Sequence, residues 1–110
     1  MPLRQAQDEP ANPLRGEAML VIGGAAHVLR PSFSALVAAE EELGPLFALV
    51  ERAGAGELRL GEMAALFWHC LVRRDEVSRE AVATAVMAQG LAACAAPLRM
   101  LLSQILKGTG

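Results

Sequence analysis

The chain has no Tyr, one Trp and three Phe, so aromatic residues make up only 4% of its 110 positions. That poverty, beside a wealth of Ala and Leu, argues against a sandwich or barrel and for packed helices. Charge of one sign is missing as well: 10 Lys and Arg face 12 Asp and Glu, a net charge of −2. No clustered basic surface is left over for nucleic acid or an anionic membrane. Cysteine is scarce, and Cys70 and Cys94 stand in apolar helical patterns with no CxxC or HxxxH spacing around them or around His27 and His69. Free, buried thiols are expected, and no metal set. The longest mainly apolar run, Gly90 to Leu106, is interrupted by Pro97, Arg99 and Gln104, which makes it a core helix and not a membrane span. Met1 to Arg15 carries three prolines and charges without an apolar centre, so it does not read as a secretory signal, and a cytoplasmic protein is expected.

What is present is enough apolar residue, 54%, to give one ordinary domain a real core without a staple. The Pro-rich, polar residues 1–15 are expected to form a disordered tail, leaving a single globular domain over 16–110. Ala18 to Ile22 and Ala25 to Leu29 are strand-like runs across Gly23-Gly24, the signature of a β-hairpin over about 17–30. An isolated hairpin is barely stable in water, so one of its faces must lie on helices.

Arg30-Pro31-Ser32 then switches the chain from extended to helical, because proline fixes φ, lacks the N–H a first turn would waste and pushes Arg30 extended. Helical spacing and capping signals place helices at about 32–43, 45–53, 61–73, 78–89 and 91–107. Gly44-Pro45 and Gly90 punctuate them, and Pro97 should kink the last or start it afresh. The fold class predicted is α+β, mainly α: an N-terminal hairpin packed on a bundle of four to five short helices.

At about 100° per residue, Phe33, Leu36, Val37 and Leu43 form the apolar stripe of the first helix, with Glu40 in its middle. A carboxylate there calls for an arginine, Arg30 or Arg99, or for backbone N–H groups. Glu41 and Glu42 point elsewhere and read as solvated. The second helix should bury Leu46, Phe47, Leu49 and Val50, and the fourth Val82, Val86 and Met87. On the third helix Met63, Leu66, Phe67 and Cys70 share one face, His69 points outward, and Trp68 and Val72 lie on the far side. A helix apolar nearly all round is either central to the core or shared with a partner, so Trp68 and Val72 are candidate partner-binding residues.

No chemistry of an enzyme's kind emerges. Converging polar groups are few, Cys70 faces inward while His69 turns away, and Gly23-Gly24 belongs to no phosphate-loop pattern. No catalytic, cofactor-binding or metal-binding residue is assigned, and no cofactor is expected.

Arg15-Gly16-Glu17, Gly23-Gly24, Leu29-Arg30-Pro31-Ser32-Phe33-Ser34-Ala35-Leu36, Glu40-Glu41 with Leu43-Gly44, and Gly90-Leu91 with Ala95 and Pro97 fall in an order that resembles a known family. It is that of the small gene-transfer-agent and phage tail proteins of alphaproteobacteria, classed among tail assembly chaperones and also labelled a tail tube protein. The resemblance runs from about residue 15 to the end and gives Arg30, Pro31, Phe33, Glu40, Gly44, Gly90 and Pro97 structural roles. It implies a non-enzymatic assembly protein of the bacterial host's cytoplasm that binds the tape-measure protein and hands it to tail tube subunits, with homo-oligomers conceivable and neither nucleic acid nor membrane among its partners. A permanent tail or tube component is the first alternative, although one hairpin is little sheet for a tube subunit. A small helix-binding adaptor or regulator is the second.

Overall fold

The computed structural model describes residues 17–107, and the tail expected over residues 1–15 lies outside the described residues. An antiparallel hairpin of β1 (Ala18–Ile22) and β2 (Ala25–Leu29) leads into α1 (Phe33–Leu43), α2 (Leu46–Gly54), α3 (Leu60–Cys70), α4 (Arg79–Gln89) and α5 (Leu91–Lys107), with a 3-10 turn at Arg74–Glu76. This is the α+β, mainly α architecture read from the pattern, with five α-helices. The hairpin turns on Gly23 and Gly24, at φ 60° and 84°, a left-handed pair whose twist matches that of the strands.

Helix α3 sits between α1 and α4, and β1 lies across α4 and α5. Seven of the eleven residues of α3 are buried, Met63, Leu66, Phe67 and Cys70 among them. They join Leu20 and Leu29 of the hairpin, Ala35 and Ala39 of α1, Val82 and Val86 of α4, and Cys94 and Leu101 of α5 in one core. Both thiols are free and buried, and burial pushes Cys70 up to about 12, which leaves it a protonated, inert small hydrophobe.

Local signals hold the helix starts. The Ser32 and Ser78 hydroxyls accept the N–H groups of Ala35 and Ala81, capping α1 and α4. Glu62 accepts the Arg59 N–H at the start of α3 and also takes both terminal nitrogens of Arg52, at 2.7 and 2.8 Å, which ties the end of α2 to the start of α3. At the other ends the N–H groups of Gly44 and Gly90 return to Glu40 and Val86. Helix α5 runs through Pro97 as one element from Leu91 to Lys107, so of the kink or restart expected there the restart is not seen.

Several assignments need correction. Helix α3 stops at Cys70, not Arg73, because Leu71 and Val72 run extended along β2: Arg30 N–H donates to Cys70 O at 2.6 Å, and Val72 N–H to Val28 O at 3.1 Å. Phe33 is 86% exposed and Phe47 77%, and Val37 and Met87 are exposed too, so four residues assigned to inner faces look outward. The residues that α1 buries are small ones, Ala35 and Ala39, with Leu36 and Leu43 packed partly against the core. Glu40 is exposed and accepts the Leu46 N–H, an orphan donor in the first turn of α2.

Candidate docking surface

Parity along the hairpin decides which side chains are left outside. Ala18, Leu20 and Ile22 are buried, and so are Leu29 and Leu71, which face each other across the bridge beyond β2. Their alternates must point the other way. Met19 stands opposite Val28, and the antiparallel bridge puts Val72 opposite Val28 on its far side. The outer face of this small sheet therefore carries a row Met19, Val28, Val72, with Val21 and Ala26 beside it. Val21 is 47% exposed and Val72 46%, and no residue from Ala18 to Leu29 is Asp, Glu, Lys or Arg.

The same register leaves β1 with an open edge. A two-residue turn makes Ile22 and Ala25 a hydrogen-bonded pair, so the backbone groups of Met19 and Val21 face away from β2. Two contacts agree with this alternation: Val28 O takes the Val72 N–H on one side, and Val21 O takes the Gln89 Nε2 at 2.6 Å on the other. Apart from Gln89, none of the usual guards of an edge strand, such as a charge, a proline or a bulge, stands along β1.

Val72 belongs to this face, and Trp68 does not. The Trp68 indole N–H donates to Val77 O at 2.8 Å, and its ring packs beside the core with the guanidinium carbons of Arg79 and Arg74 at 4.5 and 5.7 Å from its centroid. The two residues expected to share a groove thus sit in different surroundings, because the chain leaves the helix between them.

Next to Trp68, His69 is only 7% exposed, not outward-pointing, and its Nε2 lies 2.8 Å from Glu42 Oε1. Glu42 also accepts from Arg79 Nη1 at 2.6 Å, so a carboxylate read as solvated joins α1, α3 and α4. The bond from Arg79, seconded by that from His69, holds its carboxyl down at about 2, and Arg52, helped by the Arg59 N–H, does the same for Glu62. Both acids bind a proton more readily in the unfolded chain, near 4.5, so the stability they supply is complete above about pH 5 and is lost as pH falls through 4.5 towards 2. A urea titration at stepped pH is expected to show the midpoint dropping over that window, and Glu42→Gln combined with Glu62→Gln to flatten the dependence.

Arg30 meets neither Glu40 nor a solvent-only environment. Its Nε donates to Glu17 Oε2 at 2.5 Å, and Glu17 is buried at the root of β1, while Arg99 stays exposed on α5. Sequence reasoning missed Glu17, Glu42, His69 and Arg79 as partners, since the pairs they form lie 13 to 37 residues apart and leave no local trace. Among the described residues no group of three His, Cys, Asp or Glu could hold a metal ion, and no helix is long and apolar enough to cross a membrane.

What fold and surface define together is a small α+β domain with an apolar sheet face turned outward. A family model described as phage tail tube protein, GTA-gp10, matches residues 15–108, and the chain belongs to that family. It is thus a phage tail tube-related protein, of a structural family. No curated protein and no solved structure gives a significant match.

Proposed function

We propose that the protein serves tail assembly as a chaperone: it holds the helical tape-measure protein on its outer sheet face in the host cytoplasm and yields it to tail tube subunits. The observation that carries this is the outer row of exposed Met19 and Val72 with half-buried Val28 between them and exposed Val21 alongside. A sheet face of this kind buries itself best under the apolar stripe of an amphipathic helix. The patch is small and its rim offers few fixed hydrogen bonds, so affinity stays modest and release is easy. In this reading the host is an alphaproteobacterium or its prophage, and the protein is not an enzyme.

The family description and the open edge of β1 favour a second reading, a permanent tube component whose short sheet is completed by a neighbour's strand. Co-expression with the adjacent tail genes and pull-down, followed by mass spectrometry of purified particles, separates the two. The chaperone is expected to capture the tape-measure protein and to be absent from finished particles. Recovery in particles at tube stoichiometry would establish the tube component instead.

A further inference from the structure

The chain leaves two of its four aromatic residues in solvent. Phe67 lies in the core and Trp68 is half-buried at its turn, whereas Phe33 and Phe47 are the most exposed large apolar side chains among the described residues. Neither belongs to the outer sheet face. On α1, Val37 follows Phe33 by one turn and is exposed with it, Glu40 and Glu41 continue the same side, and the buried Ala35 and Ala39 lie opposite. The Glu40 carboxylate then crosses to α2, where it accepts the Leu46 N–H, so this side of α1 runs on to Phe47 and, one turn further, to the exposed Glu51.

The charge along this strip is one-sided. Of the ionised groups on α1 and α2, Glu42 is held by Arg79 and His69, and Arg52 by Glu62, while Glu57 and Arg59 in the next loop add one charge of each sign. Glu40, Glu41 and Glu51 have no ion-pair partner among the described residues. At the start of α1, Arg30, paired with Glu17, and Arg74, with Nη1 on His69 O at 3.3 Å, line one cleft beside Ser34. Unpaired negative charge is thus gathered at the end of the strip away from Arg30.

We propose that this strip of α1 and α2 is a second docking surface, for an amphipathic helix whose apolar stripe is flanked by Lys or Arg. A helix laid along α1 has the same rise per residue, so its own residues at i and i+4 meet Phe33 and Val37 step for step. Aromatic side chains lose little freedom when covered, which suits Phe33 and Phe47 as anchors. Charge then selects among apolar segments. An acidic or neutral helix would leave Glu40, Glu41 and Glu51 partly desolvated without counter-charge, and a basic one supplies it. A second copy of this chain is disfavoured on the same ground, since it would bring three more carboxylates to the three already there. The strip shares no residue with the row of Met19, Val28 and Val72, so it stands independently of what docks on the sheet face.

The test is fluorescence anisotropy of the full chain with two labelled synthetic peptides that carry leucine at i, i+4 and i+7 spacing, one with lysine and the other with glutamate at the remaining positions. The lysine peptide is expected to bind saturably and at least about tenfold more tightly than the glutamate peptide, with the gap narrowing as salt is added. Phe33→Ser combined with Phe47→Ser should weaken it at least about tenfold with the melting temperature unchanged, because both side chains already stand in solvent. Glu41→Lys combined with Glu51→Lys, which leaves the Glu40 bond to α2 in place, should reverse the preference between the peptides, and it decides the matter should the Phe variant unfold. Equal binding of the two peptides, a lysine peptide indifferent to the Phe variant in its folded form, or a preference that survives charge reversal would overturn the surface. So would loss of the lysine peptide on Val21→Ser combined with Val72→Ser, which would put it on the sheet face. A parent chain that sediments as a dimer, beside a monomeric Phe variant, would give the strip to a second copy and overturn the basic helix.

Discussion

With Val21 and Val72 both replaced by Lys, the protein is expected to fold as before and to lose the tape-measure protein in the co-expression pull-down. Both side chains are about half exposed and belong to the outer face, so neither substitution removes core contacts. The backbone N–H of Val21 faces the open edge, and the Val72 N–H stays free to reach Val28 O whatever its side chain. The cost to stability should therefore stay within about 1 kcal/mol. Under a docked helix the same two ammonium groups would sit without counter-charge in an apolar contact. Lost burial of two side chains and their desolvation together remove about 3 kcal/mol or more of binding, a hundredfold or more in affinity. Unchanged capture by a folded double variant would move the docking surface elsewhere.

Trp68→Ala is expected to act on the fold and not on a groove. The indole N–H bond to Val77 O anchors the turn between α3 and α4, and Arg79, stacked on the ring, is the same residue that clamps Glu42. Removing the ring deletes half-buried packing, one hydrogen bond to a main-chain carbonyl and a cation-π contact. The sum is about 3 kcal/mol, or a fall of roughly 10–15 °C in melting temperature for a chain this size. Trp68→Phe retains most of the packing and should cost about 1 kcal/mol, the share of the hydrogen bond. A Trp68→Ala protein that melts like the parent yet no longer captures the tape-measure protein would return Trp68 to the partner surface.

The two substitutions divide a pair that sequence periodicity had joined. Counting at helical spacing past Cys70 put Val72 on the far side of the same helix as Trp68, and within that helix the arithmetic was sound. What ended the helix was Cys70 O and Val72 N–H meeting a β2 edge some forty residues earlier in the chain. No local pattern at Arg73-Arg74 announces a strand partner so distant. Phe33 is a similar case. Its spacing with Leu36 and Val37 marks a stripe, but a stripe wide enough to include it needs a facing surface, and the residues α1 buries are Ala35 and Ala39 while Phe33 stays exposed.

The carboxylates show the same limit from the other side. Glu40 attracted notice because it stood among apolar residues, and an N–H of the next helix did turn out to take it, from an exposed position. Glu42, one helical position of no evident interest, links three helices because α3 and α4 bring His69 and Arg79 to it. Charge pairs of this kind depend on packing angles, and composition holds no information about those.

By itself the sequence determined the elements: a hairpin at the paired glycines, helix starts at Ser32 and Ser78, stops at Gly44 and Gly90, and a core built on Met63, Leu66, Phe67 and Cys70. These follow from φ preferences, orphan N–H groups and apolar period, all set within a few residues. Only the tertiary structure decided which apolar residues stay outside, that Val72 extends the sheet while Trp68 anchors a turn, and that Arg30 and Arg74 share one cleft. Those outcomes depend on which edges and faces meet across the chain, and a contact between distant residues is selected by the energy of the whole packing and not by either neighbourhood alone.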